Sequence, residues 1–416
     1  MRTSHTVAFH TLGCKVNRSE AETVAADLMG HGVEVVAESD AAVVVVTTCT
    51  VTAESDHKAR KAVRQALRGP TKPIVVVTGC LAAIDPEGLR ALGDRVVVEP
   101  DRDAVADRVS ELLGASARDG APVMRTGPVF RTRTMVKVED GCDAFCAYCI
   151  VPFARGLPRA TPLPSVVTEV GKLARAGTAE VVLTGINIGR YAWGETRLPE
   201  LIEAVAATGI SRIRLSSIEP DDVDERLLAV AAATPAFCAH LHVPLQSGCD
   251  RTLAQMGRRY DTGRYARIIE RAREVIPGCS ITTDVLVGFP GETDDGFERT
   301  LGFVETMGFA KLHVFRYSRR AGTPAAERTD QVHGAVAGER ARRTRELGAS
   351  LQDRFLGGCV GREAELLVER IVDGVAEGRA RNGAVVRIPL PGGRTGSLVR
   401  VATTGHRDGR LVGTPA

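Results

Sequence analysis

The sequence predicts an α/β protein in three parts: an open parallel sheet, a partial (β/α) barrel, and a small closed β module. Three observations carry this reading. Short β-rich runs alternate with helical stretches over residues 1 to about 115, the pattern of a parallel sheet covered by helices. A second alternating series of strand–helix units runs from Met135 to Val314, the pattern of a (β/α) barrel. Beyond about Gly358, β runs follow one another with Gly between them and without helices.

The elements follow in order. Val7–Thr11, Val43–Thr47, Ile74–Thr78 and Val96–Val98 read as the first four strands. Helices are expected from about Asn17, over Glu54–Leu67 and over Asp103–Leu113. A polar stretch, 116–133, reads as a linker. Met135–Val138, Glu180–Leu183, Ile213–Ser216, His240–Val243, Ser280–Leu286 and Lys311–Val314 are the six strands of the second part. Arg340–Leu356 reads as a charged connecting helix, and Glu363–Arg370, Gly383–Pro389, Gly396–Thr403 and Arg410–Gly413 as the final strands. The expected domains are 1–115, 134–340 and 358–416, with 341–357 connecting the last two.

A chain of 416 residues exceeds one ordinary core. Hydrophobic residues at 44% and charged residues at 25% fit a globular protein. The apolar runs Ala41–Val46 and Ile74–Val77 are too short to span a bilayer, and the first residues lack a signal peptide's apolar stretch. A cytoplasmic protein with no membrane partner is expected. In that reducing setting the ten cysteines are expected as metal ligands or free thiols, not disulfides.

Cys14, Cys49 and Cys80 fall just where three candidate strands end, in the contexts LGCKVN, TTCTVT and TGCLAA. Carboxyl ends of parallel strands form one crevice, so distant cysteines are expected to meet there. The bland alternative is three buried structural thiols. Gly141-Cys142-Asp-Ala-Phe-Cys146-Ala-Tyr-Cys149 follows the first barrel strand. Three thiolates at this spacing suit three irons of a [4Fe–4S] cluster and leave the fourth open. A closed structural zinc site needs four ligands; a zinc knuckle or redox switch is the competing reading.

This second motif resembles the radical S-adenosylmethionine (SAM) superfamily. The resemblance implies that SAM occupies the open iron, with Cys142, Cys146 and Cys149 catalytic. It marks Gly185 and Asn187 in Leu183–Gly189, then Ser216, Ser217 and Glu219 in Arg214–Pro220, as candidate SAM contacts. Gln246 and Asp284, in His242–Cys249 and Asp284–Glu292, complete that candidate set. His242 and Cys249 read as supporting or packed residues, and Cys238, Cys279 and Cys359 carry no cluster context.

Both cysteine trios together, with the final β module, resemble the methylthiotransferases over essentially the whole chain. That family implies a second [4Fe–4S] cluster on Cys14, Cys49 and Cys80 and a TRAM-like RNA-binding barrel at the end. Thr11-Leu-Gly-Cys-Lys-Val-Asn17 and Arg214–Pro220 resemble the type acting on C2 of N6-threonylcarbamoyladenosine at tRNA position 37. The resemblance implies a 5′-deoxyadenosyl radical mechanism, the tRNA anticodon loop as partner, and an electron donor such as flavodoxin or ferredoxin. The alternatives are isopentenyladenosine-37 or a ribosomal-protein aspartate as substrate, or a non-catalytic iron–sulfur protein that binds RNA or senses redox state. Arg316 and Arg319 stand where the family usually has prolines. Nine Lys/Arg against three acids over Lys311–Arg345 form the expected phosphate-binding stretch.

Overall fold

The structure is a computed structural model that describes residues 5–115 and 132–416; most of the expected linker lies outside them. The first domain is a five-stranded sheet of β1 (Thr6–Thr11), β2 (Glu34–Val35), β3 (Val43–Thr48), β4 (Ile74–Gly79) and β5 (Val96–Val98), ordered β2-β1-β3-β4-β5 and parallel throughout. Its helices are α1 (Lys15–Gly30), α2 (Ala53–Leu67), α3 (Cys80–Ile84), α4 (Pro86–Arg90) and α5 (Val105–Leu113). The two-residue β2 carries almost no sequence signal. The alternation of side chains along a strand splits β3 between two cores. Val44 and Val46 face Ala59, Val63 and Leu81, while Val43 and Val45 face Leu28, Val105 and Val109. Burial on both faces explains why these strands read as unbroken valine runs.

The second domain contains β6 (Thr134–Lys137), a short antiparallel pair β7 (Glu139–Asp140) and β8 (Arg159–Ala160), then β9 (Glu180–Thr184), β10 (Arg212–Leu215), β11 (His240–His242), β12 (Ser280–Val287) and β13 (Lys311–Arg316). Two three-stranded sheets, β10-β9-β6 and β11-β12-β13, meet through the single bridges Ile213↔Phe237 and Ser217↔His242. β6 and β13 do not pair, so the barrel is open on one side. The sheet domain closes that side. Ser19 Oγ of α1 donates to Met135 O of β6 at 2.9 Å. Past β13, Arg320 donates to Thr50 Oγ1 and Asp56 Oδ2, each at 2.7 Å.

The helix expected over Arg340–Leu356 runs from Gly334 to Cys359, with the His333 ring accepting from Ala335 N at 3.3 Å as its cap. It delivers the chain to a closed barrel of β14 (Glu363–Val372), β15 (Val375–Ala380), β16 (Val385–Pro389), β17 (Leu398–Arg407) and β18 (Arg410–Pro415). The sequence reading missed β15, whose only strongly β-favouring residue is Val375. The turn after β15 seals the starts of the barrel strands. Arg214 donates to the carbonyls of Ala380 and Arg381 at 3.1 and 3.0 Å, while Glu180, fully buried, holds Arg212 and Arg214 at 2.9 and 2.8 Å.

Candidate functional site

Cys14, Cys49 and Cys80 follow β1, β3 and β4, three adjacent strands, so the sheet brings them to one edge. Cys49 and Cys80 both act electrostatically on the Cys14 thiol, and Cys80 on that of Cys49. Gly13 stands against Cys49: a Cβ there would lie 2.7 Å from Cys49 Cβ. Cys142, Cys146 and Cys149 form the second trio, on the loop between β7 and α6 (Val151–Arg155). Three of the six cysteines are entered through a glycine in the left-handed region: Gly13 at φ 99°, Gly79 at 92° and Gly141 at 90°. A Cβ on Gly141 would meet Leu157 O at 2.2 Å, and on Gly79 would meet Thr48 O at 2.5 Å.

Each trio offers three free thiols, one short of the four a closed structural zinc takes, and three thiolates suit three irons of a [4Fe–4S] cluster. The donor set therefore fits a cluster. Burial pushes the Cys49 thiol up, and raises Cys149 to about 12. Such thiols stay protonated until a cation takes the proton's place.

Each trio has one buried arginine on it. Arg155 Nε donates to Cys80 Sγ at 3.2 Å, and its other nitrogens reach Glu20, Asp140 and Asn17 at 2.6 to 3.1 Å. Arg258 Nη1 donates to Cys146 Sγ at 3.2 Å, pairs with Glu219 and lies over the Tyr260 ring. Sequence reasoning missed both roles. Arg155 had a signal, its place six residues after Cys149; Arg258, in Met-Gly-Arg-Arg-Tyr, had none.

Of the expected SAM contacts, Asn187 and Glu219 line one recess beside Cys146, with Ala144, Asp222 and Arg258. Asn187 Nδ2 points at Cys142 Sγ, 3.9 Å away, and its backbone N donates to Glu139 Oε2 at 2.8 Å. Gly185 packs on Glu139: a Cβ there would lie 2.6 Å from the carboxylate. Its N donates to Ser216 Oγ at 3.4 Å. Glu139 is a further residue the sequence reading missed; burial pushes its carboxyl up to about 8. Ser217 bridges to His242. Gln246 takes φ 66°, and its backbone N donates to Asp284 O at 2.8 Å. The Asp284 side chain turns to His242 and His313, each 3.2 Å from Oδ1. Burial, with the positive fields of Arg133, Arg214 and Arg379, pulls Lys15 down to about 8 against the opposing field of Asp284.

The basic stretch is less free than its count suggests. Arg320, Arg328, Arg340, Arg342 and Arg343 are paired with Asp56, Asp330, Glu292, Glu339 and Glu298. Three of those acids lie outside Lys311–Arg345, so a local count does not see them.

A (β/α) barrel with a three-cysteine loop after its first strand defines a radical SAM enzyme, and residues 136–304 match the radical SAM superfamily. Residues 6–98 match the uncharacterized protein family UPF0004. The chain is 35% identical over 385 residues to the threonylcarbamoyladenosine tRNA methylthiotransferase MtaB of Thermotoga maritima, covering 90% of this chain and 89% of the relative. It is 37% identical over 390 residues to MtaB of Bacillus subtilis, covering 88% and 85%. The tRNA-2-methylthio-N(6)-dimethylallyladenosine synthase of Nitratidesulfovibrio vulgaris is 33% identical over 428 residues, covering 94% and 93%. Among solved structures, the radical SAM methyltransferase TsrM of Kitasatospora setae shares the fold, with TM-score 0.56 and 15% identity over 90% of this chain and 80% of that one. The chain belongs to the tRNA methylthiotransferase family of radical SAM enzymes. Its cofactors are SAM and two [4Fe–4S] clusters. No helix among the described residues is long and apolar enough to cross a membrane.

Proposed function

We propose that this enzyme methylthiolates C2 of N6-threonylcarbamoyladenosine at position 37 of tRNA. The observation that carries this is the pair of cysteine trios, each under one buried arginine, joined through Arg155 within six residues of Cys149. Likeness to the MtaB enzymes over most of the chain supports the substrate.

In this reading Cys142, Cys146 and Cys149 hold the cluster that binds SAM, and Cys14, Cys49 and Cys80 hold the second. When bound, the two clusters and SAM supply the 5′-deoxyadenosyl radical that removes the C2 hydrogen, the sulfur that replaces it, and the methyl group. The chain's own residues do the rest. Asn187, Glu219 and the Gly185 turn orient SAM in the recess beside Cys146, with Ser216 and Ser217 shaping its wall and Gln246 and Asp284 extending it into the lumen. Arg258 and Arg155 donate hydrogen bonds to ligand sulfurs and so offset their negative charge. Residues 1–115 serve as the domain of the second cluster, 134–340 as the radical SAM domain, and 358–416 as an RNA-binding barrel tethered by 341–357. The electrons come from a flavodoxin- or ferredoxin-like donor, in the cytoplasm where tRNA matures.

The test is mass spectrometry of tRNA nucleosides from a strain lacking the gene. Loss of the methylthio derivative of threonylcarbamoyladenosine is expected. Loss of the dimethylallyl counterpart alone would move the enzyme to the other tRNA branch.

A further inference from the structure

Among the described residues β13 is the edge strand of its sheet. Its side chains alternate, so Lys311, His313 and Phe315 share one face. All three are exposed, whereas Leu312 and Val314 pack into the core. The exposed face is the one turned to the lumen, because the register sets His313 beside Asp284 and Phe315 beside Leu286. Height along the strand then has meaning. Leu286 packs with Ala147 and Tyr148 of the cluster loop, so Phe315 lies level with that loop. His313 lies one side-chain repeat deeper, about 7 Å down the strand, and Lys311 as far again.

His313 is held in place. Its Nδ1 lies 3.2 Å from Asp284 Oδ1, which also meets His242 Nε2 at 3.2 Å, and His242 Nδ1 lies 2.9 Å from Thr282 Oγ1. Burial alone would raise the Asp284 carboxyl, but the hydrogen bonds from both rings hold it well below the usual carboxylate range. Asp284 is therefore a fixed negative charge behind His313. The opposite nitrogen, Nε2, has no partner among the described residues.

The proposed substrate has two parts of matching chemistry. Its adenine offers a flat face for stacking. Its N6 arm ends in a carboxylate, ionised at neutral pH. We infer that Phe315 stacks on the adenine at the level of the cluster loop while His313 and Lys311 receive the carboxylate of the arm deeper in the barrel. His313 does so with Nε2–H, and Asp284 holds the ring in place through Nδ1. An isopentenyl arm, being hydrocarbon, gives these residues nothing to bind. The inference rests on the threonylcarbamoyladenosine reading above and names the residues that select that substrate.

The test uses the full chain with both clusters reconstituted, and one tRNA in two forms, with N6-threonylcarbamoyladenosine or plain adenosine at position 37. Dissociation constants are measured at one fixed salt concentration. A charged hydrogen bond is worth roughly tenfold to a hundredfold in binding. The wild type is expected to prefer the modified tRNA by about that ratio. His313→Ala and Lys311→Met are each expected to lower the preference about tenfold, with iron content and affinity for the plain tRNA little changed. Phe315→Ala is expected to weaken both tRNAs alike, since stacking does not read the arm. Full preference retained in both His313→Ala and Lys311→Met overturns the inference. So does one zinc per chain that His313→Ala loses, because the trio would then be a metal site. Product formation by the wild type is scored separately. No methylthio product from the modified tRNA overturns the functional reading, while product with unaltered preference in the variants overturns only this inference.

Discussion

Arg155 Nε donates to Cys80 Sγ at 3.2 Å, although the two residues lie 75 positions apart and in different domains. The guanidinium is fully buried and paired with Glu20 and Asp140 at 2.9 and 2.8 Å. The helix that follows one cysteine trio thus ends on a residue that touches the other.

Removing Arg155 should therefore damage both the domain contact and the second cluster. Losing one partner of a buried ion pair costs about 3–5 kcal/mol, because the remaining carboxylates are left uncompensated. Arg155→Met is expected to lower the unfolding free energy of the cluster-free chain by that order in a denaturant titration. In reconstituted protein, iron should fall from about eight per chain toward about four. Unchanged stability would show that Glu20 and Asp140 do not depend on this cation.

The two trios should separate by activity. Cys142→Ala is expected to abolish SAM cleavage, read as 5′-deoxyadenosine by chromatography. Cys14→Ala is expected to keep some abortive cleavage and to form no methylthio nucleoside. Full thiolation by the Cys14 variant would remove the sulfur-donor role from Cys14, Cys49 and Cys80.

Gly79→Ala tests the approach to Cys80. The substitution forces an L side chain to φ 92° and drives its Cβ against Thr48 O. Backbone strain of this kind costs about 1–3 kcal/mol. Calorimetry of the cluster-free chain should show a lower Tm, and reconstitution should yield less iron. Gly32→Ala, also at positive φ but with open space around it, should show the strain without the iron loss.

Glu139 gives the chain a pH-dependent term. Burial raises its folded carboxyl to about 8, from 4.5 in an unfolded chain. Between those values the folded state holds a proton that the unfolded state has released. This contribution is thus whole below about pH 4.5 and declines as pH rises toward 8, by up to about 1.4 kcal/mol per pH unit. Glu139→Gln keeps an acceptor for Asn187 N and cannot ionise. Its unfolding free energy should fall less steeply than the wild type's between pH 5 and 8; parallel curves would contradict the assignment.

Arginines already paired with carboxylates should matter little to RNA. Arg316 and Arg319 have no ion-pair partner among the described residues, whereas Arg342 lies 2.5 Å from both Glu339 and Glu346. Arg316→Ala with Arg319→Ala is expected to weaken tRNA binding and to reduce the salt slope by about two. Arg342→Ala should leave both nearly unchanged in the same filter-binding series.

By itself the sequence determined the fold class, the two cysteine trios and the family. Those signals are local or periodic: valine runs for strands buried on both faces, glycine directly before Cys14, Cys80 and Cys142, and the 142–146–149 spacing. The short strands β2 and β15 left little trace, because two residues or a Gly- and Ala-containing run satisfy no pattern. Tertiary structure alone decided that Arg155 and Arg258 sit on ligand sulfurs, that Asp284 belongs with two histidines, and that Arg320, Arg340 and Arg343 of the basic stretch are paired with the distant acids Asp56, Glu292 and Glu298. The reason is physical. A strand or a turn is specified by its neighbours in the chain, but a hydrogen bond or an ion pair is specified by neighbours in space, and a pair 75 residues apart has no expression until the chain has folded.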